Sequence, residues 1–275
     1  MSISQVNRIS FVKFQGVGND FIIIDDLKQV FPHDKELIRR LCHRQFGVGA
    51  DGLILVQPSY VAEYKMRIFN ADGLEALMCG NGLRCLVGYL CQCLGREEKQ
   101  FQIESLKGVH LCYREGDEIR TCFGRPVIKE LSKTLNQEEG FHIIDTGVPH
   151  AVRFMDDLED HSFENKGRLI RYHPAFSPEG VNVNFACIDE EAKVTVRTYE
   201  RGVEGETLGC GTGAAAVAVA AKLMYGLRSP VHIMLKKSKE KLLCYLEEAQ
   251  GEIVKVSLRG AAKYVFHGQV DLDQL

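Results

Sequence analysis

Residues Ala214 to Ala221 read Ala-Ala-Ala-Val-Ala-Val-Ala-Ala, and the segment follows directly on Gly209-Cys210-Gly211-Thr212-Gly213. Alanine has the highest helix propensity of any residue, so a helix is predicted from about Gly211 onward. That helix is apolar on nearly every face and has no side fit for water, so it has to be a core element wrapped by other structure. The glycines on either side of Cys210 allow a sharp turn and put the thiol at the mouth of the helix. Unpaired N–H groups and the positive end of the helix dipole favour a thiolate there, and the same groups bind a carboxylate.

The device occurs twice. Met78-Cys79-Gly80-Asn81-Gly82 leads into Leu83, Leu86, Val87, Leu90 and Leu94 at helical spacing. Cys79 and Cys210 lie 131 residues apart, and the same offset carries Gly80 to Gly211 and Gly82 to Gly213. It also carries Gly16-Val17 to Gly147-Val148, Gly49 to Gly180, Asp51 to Asn182 and Asn70 to Arg201. A constant register over separated anchors marks a duplicated module. Two pseudo-symmetric lobes are therefore expected, residues 1–125 with Cys79 and 126–262 with Cys210, with 263–275 as a closing strand that returns to the first lobe.

Within the first lobe, Phe11–Phe14 and Phe21–Ile24 read as a hairpin around Gly16–Asp20. Pro32–His43 reads as a helix, Gly52–Val56 and Tyr64–Phe69 as strands, and Phe101–Phe123 as a meander ending at Gly124-Arg125-Pro126. The second lobe repeats the plan, with strands at Ile143–Asp145 and Ala151–Phe154, an irregular polar stretch to Glu179, and strands near Val183 and over Val194–Tyr199. The fold class is α+β, each lobe a mainly antiparallel sheet around a buried helix. Each helix mouth is expected to face the other lobe, so that two thiols share one cleft.

A formal charge of −3 with no long basic run offers nothing to nucleic acid or to an anionic membrane. Met1–Ser10 has no signal-peptide core, and the longest apolar run is too short to span a bilayer, which points to a cytoplasmic protein acting on a small molecule. The ten cysteines are expected to be mostly reduced thiols. No Cys-x-x-Cys occurs, so no metal site is expected. Cys85, Cys91, Cys93, Cys112, Cys122, Cys187 and Cys244 read as small buried hydrophobes.

Two thiols across a cleft suit inversion of an amino-acid α-carbon, in which one base removes the proton from one face and a general acid delivers another to the opposite face. A helix mouth brings a thiol toward neutrality, whereas paired lysines or carboxylates need larger perturbation. A dithiol redox or metal-binding protein is the alternative from another class.

Four motifs in order, Gly16-Val17-Gly18-Asn19-Asp20-Phe21, Phe69-Asn70-Ala71-Asp72-Gly73 with Cys79-Gly80-Asn81-Gly82, Tyr199-Glu200-Arg201-Gly202 with Gly205-Glu206-Thr207, and Cys210-Gly211-Thr212-Gly213, resemble the signatures of the diaminopimelate epimerase family. The resemblance covers nearly the whole chain. It implies interconversion of LL- and meso-diaminopimelate without pyridoxal phosphate or any other cofactor, on the route to lysine and peptidoglycan, by a homodimer. It also implies Cys79 and Cys210 as paired acid and base, with Gly80-Asn81 and Gly211-Thr212 cradling the reacting carboxylate. Asn19, Asn70, Asn182 and Arg201 become substrate contacts, Arg201 for the distal carboxylate. Glu200 lies near the substrate amine and, with His150, tunes the thiols. Two departures stand out. The family commonly has Gly-Asn-Pro-His where this chain has Gly147-Val148-Pro149-His150, and the Gly202–Gly205 loop is one residue longer than the common form. A racemase of broader range, accepting glutamate or aspartate, is the related alternative.

Overall fold

The computed structural model describes residues 8–135, 138–159 and 161–275. The first seven residues, read above for a leader, lie outside the described residues. In chain order the elements begin with β1 (Arg8–Gly16), β2 (Asn19–Asp25), α1 (Lys35–Cys42), β3 (Gly52–Gln57), β4 (Tyr64–Asn70), β5 (Glu75–Ala76) and α2 (Gly80–Gln92). β6 (Gln100–Ser105), β7 (Gly108–Glu115), β8 (Glu118–Gly124), β9 (Val127–Leu135), β10 (Glu138–Asp145), β11 (Pro149–Phe154) and α3 (Phe163–Arg171) follow. The chain closes with β12 (Asn182–Ile188), β13 (Val194–Glu200), β14 (Gly205–Glu206), α4 (Gly211–Tyr225), β15 (Val231–Leu235), β16 (Lys241–Ala249), β17 (Glu252–Ala261) and β18 (Lys263–Asp271). The class is α+β, and the chain divides into two compact units, one reaching Thr121 and including Ala261–Leu275, the other Cys122–Gly260.

In the first unit β18 runs antiparallel to β1, β1 to β2, and β3 to β4, while β2 and β3 are parallel. The central runs Phe21–Ile24 of β2 and Leu53–Val56 of β3 are unbroken apolar residues because both of their faces are covered. Phe21, Ile23, Ile54 and Val56 turn to the α2 side with Leu83, Leu86, Val87 and Leu90, while Ile22, Ile24, Leu53 and Leu55 turn to the α1 side with Ile38 and Leu41. α1 begins at Lys35 rather than Pro32, because Asp34 caps it by accepting the Leu37 N–H at 2.7 Å.

The second unit pairs β10 with β11, β12 with β13 and β15 with β16 antiparallel, and β11 with β12 parallel. α4 packs on β10, β11, β12, β13, β15 and β16, and its residues from Gly213 to Ala221 are all buried. It ends at Gly226, whose φ of 70° is the left-handed cap conformation.

Three features differ from the sequence expectation. The stretch up to Glu179 contains α3, whose signal is weak: only Phe163, Gly167 and Ile170 are buried, and Ser162 offers no side-chain cap bond. Gly167 is required there, since a Cβ would lie 2.7 Å from Cβ of Tyr199. A hairpin of β9 and β10 precedes Ile143, so the strand predicted from that residue starts at Glu138. The offset between the units is also not uniform. β4 and β13 share the burial pattern of alternating then consecutive buried positions at an offset of 130, so Asn70 corresponds to Glu200 rather than to Arg201.

The same register exposes a duplicated ion pair. Arg67 forks onto Glu75 with both contacts at 2.8 Å, and Arg197 onto Glu206 at 2.8 and 2.9 Å. Phe69 pairs with Glu75 but Tyr199 with Glu206, so the extra residue sits in the Gly202–Gly205 loop, and the offset of 131 is recovered at the helix. Each bidentate pair fixes the short strand that leads to the helix mouth.

Candidate active site

Cys79 and Cys210 are the N-cap residues of α2 and α4, both with extended backbone, at φ −143° and −115°. The first intrahelical bonds run from Leu83 N–H to Cys79 C=O and from Ala214 N–H to Cys210 C=O, each 2.9 Å. The amides of Gly80, Asn81 and Gly82, and of Gly211, Thr212 and Gly213, therefore precede the first bonded turn, where no carbonyl of the helix can accept them. Gly82 N–H points to Cys79 Sγ at 3.4 Å, and Cys210 Sγ lies 3.5 Å from Thr212 Oγ1. Thr146 Oγ1 donates to the Thr212 carbonyl at 2.7 Å and pins the α4 turn. Cys79 is half-buried and Cys210 buried.

Around Cys79, Asn81 is buried and its Oδ1 accepts from Arg84 at 2.6 Å; Arg84 is itself fully buried. Asn19 opens β2 and Asn70 closes β4, on strands that flank β3 at the Gly52 end. Asn19 Oδ1 is buried and has no partner in the described chain. Beside it Asp20 meets Lys13 at 2.7 Å and Arg44 at 2.8 Å. Burial alone raises the Asp20 pKa, but hydrogen bonds from Arg44 and Lys13 outweigh it and hold the carboxyl at about 2.

Around Cys210, Asn182 Oδ1 accepts the Arg201 N–H at 2.8 Å, and the Arg201 guanidinium touches the Glu179 carbonyl at 3.3 Å. Glu200 ends β13 beside Gly205. His150 neighbours Asn182 across the parallel β11 and β12 and is fully buried. Its Nδ1 meets Asn184 Nδ2 at 3.1 Å, while its Nε2 has no partner in the described chain. Burial pushes the imidazole down to about 3, with Asp145 opposing and Arg201 adding to the shift, so His150 is neutral near pH 7.

The structure thus groups Asn182, Arg201 and His150 with the second thiol's unit, and Asn19, Asn70 and Asn81 with the first. No sequence signal marks Arg84, Thr146, Asn184 or Thr198. Arg84 lies within a helical apolar run, and Asn184 and Thr198 alternate with apolar residues on strands, a pattern that reads as solvent-facing. All ten cysteines are thiols. Burial pushes Cys42 up to about 12 and raises Cys85 as well, which makes both inert. Cys93, read as buried, is exposed at the α2 C-cap, and Cys91 and Cys187 are half-buried.

Two stability effects follow. A Cβ on Gly213 would lie 2.4 Å from Asn184 Oδ1, whereas the atom nearest to one on Gly82 would be the end of the Ile68 side chain, at 2.8 Å. Gly213→Ala is expected to destabilise by roughly 1–3 kcal/mol, and Gly82→Ala by less, because Ile68 can shift and Asn184 is held by hydrogen bonds. Urea midpoints check this; equal losses would mean that Asn184 yields as readily as Ile68. For His150 the folded pKa lies below the ordinary 6.5, so between pH 6.5 and about 3 the unfolded chain binds a proton that the folded chain does not. Stability should fall as pH drops through that window, by up to about 1.4 kcal/mol per pH unit from this residue. Unfolding at pH 4.5, 5.5 and 7 should show a shallower acid slope in His150→Gln; an unchanged slope would place the titration elsewhere.

The architecture is shared with a solved phenazine biosynthesis protein and a solved epimerase. A PhzF-family phenazine biosynthesis protein from Bacillus anthracis superposes with a TM-score of 0.77 at 16% identity, covering 96% of this chain and 99% of that one. A hydroxyproline epimerase from Agrobacterium vitis gives 0.71 at 16% identity, covering 96% and 91%. These likenesses define the fold. Within it, the chain belongs to the diaminopimelate epimerase family, whose model matches residues 11–128 and 142–265. Diaminopimelate epimerases from Carboxydothermus hydrogenoformans and Archaeoglobus fulgidus are 37% and 38% identical, over 95% and 98% of this chain and 99% and 98% of their own lengths. That of Aquifex aeolicus is 37% identical over 97% of this chain and 99% of its own.

Proposed function

We propose that this chain interconverts LL- and meso-diaminopimelate, supplying precursors for lysine and peptidoglycan, with Cys79 and Cys210 as the acid–base pair and without pyridoxal phosphate. The observation that carries the reading is that both cysteines cap buried helices in a member of this family. One thiolate takes the α-proton, and the C–H electron pair passes into the carbanion, delocalised onto the carboxylate. The other thiol delivers its proton to the opposite face. Each turnover leaves the two thiols with exchanged protonation, which is the form needed for the reverse direction. Amides of the Gly80-Asn81 and Gly211-Thr212 turns stabilise the charge that develops on the carboxylate. Arg201 takes the distal carboxylate, Glu200 the amine, and Asn19, Asn70 and Asn182 orient the rest. His150 and Glu200 tune the thiols.

Among the described residues no helix is long and apolar enough to cross a membrane. A cytoplasmic homodimer completes the reading; Tyr264, Val265 and Phe266 leave an exposed apolar strip on β18 that a second copy would cover. Equilibrium sedimentation tests that part.

A second reading, a broader amino-acid racemase, is favoured by Val148, which offers no side-chain donor or acceptor. Incorporation of solvent deuterium at the α-carbon, measured over a panel of amino acids without added pyridoxal phosphate, separates the two. Exchange in diaminopimelate alone supports the first, exchange across the panel the second, and exchange in none rejects both.

A further inference from the structure

The two helix mouths rest on different ground. In the first unit Ile54 pairs with Ile68 across β3 and β4, and both reach the α2 turn: a Cβ on Gly82 would lie 3.4 Å from Cδ1 of one and 2.8 Å from Cδ1 of the other. At the matching places in the second unit, β12 and β13 pair Asn184 with Thr198, and Asn184 reaches the α4 turn in the same way. Both of these polar residues are buried. A buried amide is costly unless its hydrogen bonds are made, and here they are. Thr198 Oγ1 donates to Asn184 Oδ1 at 2.9 Å, and Asn184 Nδ2 faces His150 Nδ1 at 3.1 Å and the Ala151 carbonyl at 3.4 Å.

The direction of these bonds fixes a proton. A carbonyl oxygen only accepts, so the amide edge facing Ala151 is the NH₂ edge, and His150 Nδ1, beside the same nitrogen, must be the acceptor. A neutral imidazole that accepts at Nδ1 carries its hydrogen on Nε2. That Nε2 is buried and meets no acceptor in the described chain.

We propose that Asn184, oriented by Thr198, is a positioning residue that locks His150 as the Nε2–H tautomer, making it a neutral buried donor for negative charge brought or formed in the site, and not a base. The first unit has only isoleucines at the corresponding places, so the device serves the Cys210 side alone. The tautomer stands on geometry; its service to catalysis rests on the proposed epimerisation.

The lock is read by ¹⁵N NMR of histidine-labelled protein, with His150 assigned by difference against His150→Gln. At pH 7 the wild type should show an unprotonated Nδ1 and a protonated Nε2. Thr198→Val removes the hydroxyl that orients the amide and should give mixed tautomers, while Thr198→Ser restores the wild-type pattern. Asn184→Asp presents a carboxylate that only accepts, so the hydrogen should move to Nδ1. A wild-type proton on Nδ1, or a tautomer unmoved by Thr198→Val, overturns the lock. Should Asn184→Asp fail to fold, the Thr198 pair decides. In the kinetic arm, Thr198→Val should lower kcat roughly tenfold, about the contribution of one hydrogen bond, with KM within twofold. A shifted tautomer with unchanged kcat overturns the catalytic role and leaves the lock. A wild type without epimerase activity rejects the proposed reaction while the NMR result still decides the tautomer.

Discussion

Replacing either Cys79 or Cys210 with alanine is expected to lower epimerisation by more than about 10⁴-fold, beyond the ~10²- to 10⁴-fold usual for one acid or base. The excess follows from the reaction itself: a proton leaves one face and another arrives on the opposite face, so neither half substitutes for the other. The fold should tolerate both changes. The backbone carbonyl of each cysteine accepts the first helical bond, at 2.9 Å from the N–H of Leu83 and of Ala214, which alanine keeps, while Cys79→Ala gives up the weaker 3.4 Å contact of Gly82 N–H to sulfur. The two variants should differ in what remains. Cys79 is half-buried and takes Gly82 N–H on its sulfur, whereas Cys210 is buried with its sulfur beside Thr212 Oγ1. Stopped-assay kinetics in both directions, with circular dichroism as a fold control, provide the measurement. Near wild-type epimerisation by either variant would exclude a two-thiol mechanism.

Val148→Asn is expected to raise the preference for diaminopimelate over glutamate by about ten- to a hundredfold in kcat/KM, the worth of a hydrogen bond of roughly 1.5–3 kcal/mol to a charged group. Val148 lies half-buried between Gly147, whose φ of 114° is one that few residues other than glycine adopt, and Pro149. The turn is held by Gly147 N–H to Asp145 Oδ1 at 2.9 Å and by Thr146 N–H to the Val148 carbonyl at 3.3 Å. Neither contact uses the Val148 side chain, so it can change without disturbing the turn. A polar site discriminates because an analogue lacking the matching group leaves a buried partner unpaired, and valine imposes no such penalty. Asparagine would impose it. The ratio of kcat/KM for diaminopimelate and glutamate in the two proteins is the test. An unchanged ratio would mean that Asn182, Arg201 and water already set the specificity.

The sequence by itself determined the two buried helices, the cysteine at each mouth and the duplication. Those features rest on local physics: an all-apolar helix has no face for solvent, a glycine-framed cap needs only its neighbours, and a repeat shows in the spacing of its anchors. It also carried the family, since four ordered motifs are linear strings. The tertiary structure alone decided what lies beneath each mouth. Asn184 and Thr198 alternate with apolar neighbours, as a solvent-facing strand edge does, and only the closure of β12 and β13 over α4 turns that face inward. Arg84 lies off the apolar stripe of Leu83, Leu86, Val87 and Leu90, yet its guanidinium is buried with Asn81 as one partner. The offset of 130 across β4 and β13, and with it the correspondence of Asn70 to Glu200, depends on strand pairing, which joins residues far apart in the chain and leaves no local trace. The proton on His150 is of the same kind, because hydrogen-bond direction around a buried ring is set by partners that converge only in the folded unit.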